Sequence, residues 1–118
     1  MENIDSIFNT LIVELKRGTL TLAALSQLQS PQYGYSLVQK LEEKNSAIDA
    51  GTLYPLLRRL EKQGILTSEW DTEESRPRKY YSLSLKGKEI YLALKIEWSR
   101  LSMQMETLLK EGETNETN

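Results

Sequence analysis

Apolar residues recur at helical spacing along most of the chain. In the first segment they form one stripe, made of Ile4, Phe8, Leu11 and Leu15. This spacing predicts an N-terminal helix over residues 1–16. A second apolar segment follows Gly18, and a glycine at this point leaves open whether one helix or two cover the region. Residues 30–34 are rich in helix-breaking types and predict a loop, after which residues 35–44 predict a further short helix.

The segment between residues 47 and 66 carries the most informative pattern. Its leucines form a single stripe at positions i, i+3, i+4 and i+7, namely Leu53, Leu56, Leu57 and Leu60. Asp49 is placed to cap the start of a helix, and Gly64 is suited to end it. The opposite face is rich in hydrogen-bond donors: Thr52, Tyr54, Arg58, Arg59 and Lys62. Such a helix is slim enough to enter a DNA major groove, although a short basic helix is also typical of a solvated surface.

Two short segments after this helix predict a β-hairpin. In residues 65–70 and 79–84 the side chains alternate with the period of two that places them on opposite faces of a strand. The polar loop 71–79 joins these two segments. Its basic residues, Arg76, Arg78 and Lys79, are placed to reach phosphates or a narrow minor groove, or else form part of a solvated loop. A recognition-type helix followed by a hairpin is the order of a winged helix-turn-helix, which we expect over residues 17–85. The predicted fold is mainly α, with a small β-hairpin wing.

The C-terminal part of the chain has a heptad pattern that predicts a long helix over residues 86–110. Its apolar positions are spaced alternately three and four residues apart: Tyr91, Leu94, Trp98, Leu101, Met105 and Leu108. A chain this small has no obvious second helix long enough to cover this stripe, so we expect a second copy to cover it in a two-fold homodimer. The alternative is that the helix packs on its own domain. Residues 111–118 are polar and acidic and predict a disordered tail.

Composition narrows the function classes. The chain has 118 residues, enough for one domain, and it has neither cysteine nor histidine. Disulfides and thiolate metal sites are thereby excluded, the commonest general base is missing, and we expect no cofactor or metal. No apolar run approaches the length of a membrane span and no signal-peptide pattern is present, which favours the cytoplasm. The net charge of −2 decides little, because acidic and basic residues gather in separate stretches.

Three motifs in the middle of the chain point to a known family. They are Gly34–Tyr35 before Leu37, the run GTLYPLLRRLEKQG over residues 51–64, and RPRKYY over residues 76–81. Over roughly residues 17–87 the chain resembles the PadR family of bacterial transcriptional regulators, and its single long C-terminal helix is similar to the small subfamily. The resemblance implies a homodimeric repressor that binds a pseudo-palindromic, double-stranded DNA operator. On the family pattern the DNA-facing positions are Thr52, Tyr54, Arg58 and Arg78 or Lys79.

Trp98 is a candidate ligand-binding residue by the same resemblance. Multidrug-sensing members of the family carry a tryptophan on the C-terminal helix that sandwiches a flat aromatic ligand with its two-fold mate, and residues 97–100 are similar to that segment. The ligand site implied for this chain contains Phe8, Trp98 and Leu101. Ser102 stands where an acidic residue would favour a cationic ligand. The alternative is that Trp98 is simply a core residue of the dimer interface.

Two other classes of function remain to be weighed. A winged helix can bind a protein instead of DNA, through the Tyr54 face and the heptad helix. Replacing Arg58 discriminates the two, because DNA affinity should then fall several-fold or more while dimerisation does not change. An enzyme is disfavoured. The carboxylates of Glu42 and Glu43 are neighbours in sequence and do not converge on a site, and no nucleophile–base pair is visible.

Overall fold

A computed structural model describes residues 3–73 and 75–117, except for the side chains of residues 113–117. In these ranges the chain forms five helices and one three-stranded antiparallel sheet with the strand order β1-β3-β2. The elements, in chain order, are α1 (Ile4–Arg17), α2 (Leu20–Ser26), β1 (Gln32–Tyr33), α3 (Gly34–Glu43), α4 (Ala50–Lys62), β2 (Leu66–Asp71), β3 (Arg78–Leu83) and α5 (Leu85–Thr117). The predicted fold class, a mainly helical chain with a small wing and a long C-terminal helix, is confirmed. No helix in the described part is both long and apolar enough to cross a membrane.

One hydrophobic core holds α2, α3, α4, the sheet and the start of α5 together. The leucine stripe of α4 lies at its centre, with Leu53 and Leu57 completely buried and Leu56 and Leu60 nearly so. These side chains pack with others from every neighbouring element: Leu25, Leu28, Leu37, Leu41, Leu66, Tyr81 and Leu83. The predicted inner face of the central helix is therefore confirmed.

The ends of α4 are as the sequence predicts. The Asp49 carboxylate accepts a hydrogen bond from the backbone N–H of Thr52 at 3.0 Å, which satisfies one of the free N–H groups of the first turn. After the last helical residue, Gly64 takes a positive φ of 78° that side-chain-bearing residues rarely adopt. Pro55 lies inside the helix, beyond its first turn.

Two boundaries differ from the prediction, and the open choice between one and two helices before residue 27 is decided. Residues 30–34 are not all loop, because Gln32 and Tyr33 are extended and pair with β3 opposite Tyr81 and Tyr80. Residues 4–26 form two helices, α1 and α2. The predicted end of the last helix at Lys110 is wrong, because α5 continues through Thr117. No proline interrupts this stretch, and Gly112 weakens a helix by only about 1 kcal/mol relative to alanine. Of the predicted disordered tail, only Asn118 lies outside the described residues.

The first turn of α5 packs so closely on the start of β2 that only glycine fits at position 87. A Cβ at Gly87 would overlap the backbone oxygen of Ile65, which is a rigid neighbour. The side chain of Ser84 closes the same junction, because its Oγ accepts from the N–H of Gly87 at 2.9 Å and lies 2.6 Å from the carbonyl oxygen of Gly64, to which it donates.

We expect Gly87→Ala to lower the free energy of unfolding by about 1–3 kcal/mol, because the extra methyl group forces backbone apart in a packed junction. Denaturant unfolding at one fixed protein concentration measures this change. Gly112→Ala is the matched control, since Gly112 lies in the same helix with nothing within 4 Å of its added Cβ. Equal stability of the two variants would contradict the close packing at Gly87.

Candidate nucleic-acid interface

The outward face of α4 presents three basic side chains to solvent. Arg58, Arg59 and Lys62 are all exposed, because they lie on the side of the helix away from the buried leucines. Within the described ranges no hydrogen bond or ion pair occupies these three side chains. Thr52 is also exposed, and its hydroxyl donates to the second carboxylate oxygen of Asp49 at 2.9 Å. The structure thus brings four of the five predicted residues of this face together as predicted.

Tyr54 does not share that exposed face. Its side chain is half-buried and packs against the hydrophobic core, with the ring directly over Gly34 at the start of α3. A Cβ at position 34 would overlap the ring, so the glycine allows the two helices to approach. The reason is helical geometry, since Tyr54 lies three residues before Leu57 and therefore at the edge of the apolar stripe. The prediction that Tyr54 points away from the leucines is wrong.

Lys79 is held against α4 by an acidic side chain that the sequence analysis did not single out. Its Nζ donates to Oε1 of Glu61 at 3.0 Å and lies 5.2 Å from the ring centroid of Tyr81. The hydroxyl of Ser68 donates to the other carboxylate oxygen of Glu61. We call this set, Glu61 with Ser68 and Lys79, the Glu61 latch. Lys79 therefore points its charge at α4, and the expectation that it reaches phosphates stays a prediction.

The contacts in the Glu61 latch shift the pKa values of both Glu61 and Lys79. The hydrogen bond from Ser68, and then the one from Lys79, hold the pKa of Glu61 below its usual 4.5. The hydrogen bond to Glu61 raises the pKa of Lys79 above its usual 10.5, although partial desolvation opposes this. Both shifts favour the charged forms, so the latch is fully ionised between these two reference values.

Arg78 lies on the other face of the wing, beside two tyrosines at the start of the helix-turn-helix. Its Nη1 donates to the hydroxyl of Tyr35 at 3.1 Å, and its guanidinium lies near the rings of both Tyr33 and Tyr35. The hydroxyl of Tyr33 donates to Asp71 at 2.8 Å, and this bond is the main cause of the lowered pKa of Asp71. The sequence predicted no role for Tyr33 and indicated Tyr35 only as part of a family motif. Tyr33 ends β1 whereas Tyr35 lies in the first turn of α3, so no single periodicity relates the two rings.

Arg76 is exposed in the connection between β2 and β3, as expected of a residue near the tip of a wing. Glu74, in the same connection, lies outside the described residues.

The predicted heptad stripe of α5 divides into two parts. Tyr91 is buried and Leu94 packs against the core, so these two side chains contact their own domain, as in the alternative that the helix packs on its own domain. The reason is that α2 covers the first turns of α5. The remaining four positions are about half exposed or more: Trp98, Leu101, Met105 and Leu108. They extend beyond the core along the free part of the helix.

Trp98 and Leu101 line an apolar groove between α5 and the turn after α1. The groove has a volume of about 480 Å³ and is also lined by Leu15, Met105 and Leu109. Phe8, the third residue of the predicted ligand site, does not line it and is 58% exposed on α1. Within one copy of the chain the structure therefore brings together two of the three predicted residues.

We expect Glu61→Gln to destabilise the protein at neutral pH and to have less effect in acid. Because the pKa of Glu61 is lowered in the folded state, its carboxylate stabilises the fold above the unfolded value of 4.5. This contribution is lost as the pH falls through the lowered pKa. Urea unfolding from neutral pH to about pH 3 measures the difference between wild type and variant.

The control for this prediction is Glu89→Gln, which removes an exposed carboxylate from α5 outside the latch. Its difference from wild type should be small at every pH. A constant deficit of Glu61→Gln across the whole range would contradict the role of the ionised latch.

Comparison with known proteins identifies the family. The model of the "Transcriptional regulator PadR-like family" matches residues 21–92. The chain is similar in structure to a PadR-family transcriptional regulator from Eggerthella lenta, with a TM-score of 0.85 and 46% identity over 89% of this chain and 94% of that one. It is 33% identical over 76 residues to a transcriptional regulator of Mycobacterium tuberculosis, covering 64% of this chain and 71% of the relative.

A third similarity is to Bacillus subtilis PadR, whose crystal structure is of a complex with operator DNA. The TM-score is 0.62 at 23% identity, over 66% of this chain and 46% of that one, and at this identity the similarity concerns the fold. The family model covers more than half of the chain, and the resemblance found in the sequence motifs is thereby confirmed. These relatives are regulators of transcription and not enzymes, and the chain belongs to the PadR-like family of transcriptional regulators.

Proposed function

We propose that this regulator is a homodimer that binds a pseudo-palindromic operator and represses its own operon or a neighbouring transporter or stress gene. The observation that carries the proposal is the exposed basic face of α4. Three cationic side chains that are not engaged within the described chain lie on one side of a helix whose other side is fixed in the core. Such a face fits the negatively charged edge of a DNA groove. The complex of Bacillus subtilis PadR with operator DNA supports this use of the shared fold.

On this proposal α4 enters the major groove. Arg58, Arg59 and Lys62 reach phosphates and base edges from its exposed face, and Thr52 approaches the DNA at the start of the helix. Tyr54 acts indirectly, because its ring on Gly34 determines how closely α3 and α4 approach. In the wing, Arg76 and Arg78 are the phosphate contacts. Lys79 contributes through the Glu61 latch, which ties the wing to α4.

The dimer is supported by apolar surface that one copy of the chain leaves uncovered. Helix α1 buries none of its residues, and five of its large apolar side chains are more than half exposed: Ile4, Phe8, Leu11, Val13 and Leu15. The free half of α5 adds the exposed part of the heptad stripe described above. Exposed apolar surface of this extent is typical of an interface. On this proposal a two-fold pair of chains presents its two α4 helices to half-sites about one helical turn of DNA apart, as a pseudo-palindrome requires.

An effector at Trp98 is the proposed means of relieving repression. The groove beside Trp98 is apolar, and its acidic residue is Glu106. Two such grooves that face each other across a two-fold axis offer two indole rings to one flat aromatic molecule. The molecule relieves repression only if it binds more tightly to a state in which the two recognition helices are wrongly spaced for the operator.

We expect Arg58→Ala to weaken binding to a labelled duplex from immediately upstream of the protein's own gene by about five-fold or more, because it removes one charge from the proposed contact face. Fluorescence anisotropy over a series of salt concentrations, with unrelated DNA as competitor, measures affinity and its salt dependence. Lys88→Ala is the charge-matched control, since Lys88 is exposed on α5. Sedimentation equilibrium should give the same dimeric mass for all three proteins.

Two results would contradict this proposal. If wild type binds both duplexes equally and weakly, regulation of its own gene is rejected. If it binds neither duplex while remaining a dimer, a protein-binding role for the winged helix replaces DNA binding.

We expect a flat aromatic effector to quench Trp98 fluorescence in a saturable way. The chain has two tryptophans, and Trp70 lies in the wing, so the titration is done in Trp70→Phe, where Trp98 is the sole emitter. Adding the saturating compound to the DNA complex should lower the anisotropy. If neutral, cationic and anionic flat aromatics all fail to saturate the quenching, the ligand site is rejected and Trp98 is an interface residue only.

A further inference from the structure

The guanidinium of Arg78 is held in place by residues far away in sequence. It donates to the Tyr35 hydroxyl at 3.1 Å, and its Cζ lies 5.5 Å and 5.7 Å from the ring centroids of Tyr33 and Tyr35. The two rings are stacked, with an interplanar angle of 8°. Arg78 and Tyr35 are 43 residues apart in the chain, so the arrangement depends on the fold. A planar guanidinium gains cation–π attraction at such ring faces.

The ring of Tyr33 is itself fixed to the wing. Its hydroxyl donates to Oδ2 of Asp71 at 2.8 Å, and Asp71 lies opposite Arg78 in the register of β2 and β3. Tyr33 also meets the ring of Tyr80 edge-on, with centroids 5.8 Å apart. The tyrosine that supports the guanidinium therefore has little freedom of its own, and the start of α3 is tied to the same part of the wing that carries Arg78.

These residues lie at a groove between the helix-turn-helix and the wing. The groove is lined by Tyr35 from α3, Tyr54 from α4, and Trp70 and Arg78 from the wing. In helix-turn-helix proteins the recognition helix lies in the major groove while the preceding helix crosses the DNA backbone. On the proposed function, a DNA strand between α4 and the wing passes this groove, beside both Tyr35 and Arg78.

We propose that Tyr35 is a positioning residue for DNA binding, which holds the Arg78 guanidinium toward a phosphate of the strand that passes between the recognition helix and the wing. The inference rests on the proposed function. A guanidinium carries five N–H donors in a planar fork, and this geometry suits a phosphate. An arginine without such support loses much rotamer freedom when it binds, and prior positioning removes that cost.

A double-variant cycle tests whether Tyr35 acts through Arg78. Binding of the same upstream duplex is measured for Tyr35→Ala, Arg78→Ala and the combined variant. We expect Arg78→Ala to weaken binding about three- to ten-fold and to lower the salt dependence by about one unit of slope. Tyr35→Ala should weaken binding as well, but by no more than this. The combined variant should bind like Arg78→Ala alone, because Tyr35 has nothing left to position.

Two phenylalanine variants make the test specific. Tyr35→Phe keeps the ring and removes the hydroxyl, so its affinity should lie between those of wild type and Tyr35→Ala. Tyr80→Phe is the matched control, because the Tyr80 hydroxyl donates to Glu69 at 2.9 Å, away from Arg78, and its loss should leave binding unchanged. Thermal unfolding of each variant identifies any loss of folded protein, and Tyr35→Phe keeps the test valid if Tyr35→Ala does not fold.

Two outcomes would overturn the inference. If the effects of Tyr35→Ala and Arg78→Ala multiply in the combined variant, Tyr35 contacts the DNA independently. If both Tyr35 variants bind like wild type while Arg58→Ala is weakened, the contact only stabilises the wing. Failure of the proposed function gives a different result. In that case wild type binds the upstream duplex no better than unrelated DNA, or Arg58→Ala binds it as tightly as wild type does.

Discussion

Burial of the leucine stripe of α4 is the constraint on which the rest of the winged helix depends. Truncating a fully buried leucine costs about 2–5 kcal/mol, whereas moving a solvated arginine costs little. The rotation of α4 about its axis is therefore set by Leu53 and Leu57, which are completely buried. Arg58 and Lys62 face outward as a consequence. The basic surface owes its position to the apolar residues behind it.

The wing is oriented by different forces, because much of its surface lies outside the core. Glu61 ties it to α4, and Tyr33 and Tyr35 tie it to the start of α3. Hydrogen bonds are directional, and a donor or acceptor left without a partner costs much free energy only when it is buried. These ties are exposed or only partly buried, so they fix the direction of the wing and each adds a modest amount of stability. Two such ties on opposite faces of the sheet restrict the wing more than either does alone.

Predictions from the sequence were most accurate where the periodicity of apolar residues determines which side chains are buried. They were least accurate where the same side chain fits either a buried or an exposed position. The leucine stripe, the Asp49 cap and the Gly64 end of α4 follow from local rules and are found in the structure. Tyr54 lies at the edge of a stripe, where a ring can turn either way, and the space above Gly34 decides. The sequence did not distinguish Lys79 from the neighbouring basic residues, because its ion-pair partner Glu61 lies on another element. Contacts of this kind depend on tertiary distances, which a single sequence does not contain.

Helix α1 has a consequence for how the regulator responds to its own concentration. It has 14 residues and buries none of them within one copy, and isolated helices shorter than about 12–15 residues are only marginally stable in water. On the proposed dimer, ordering of α1 and pairing of the two chains become one coupled event. The population of DNA-binding protein then rises more steeply than the total amount of chain. For a repressor of its own gene, such a response produces a threshold, below which the promoter stays open and above which synthesis stops.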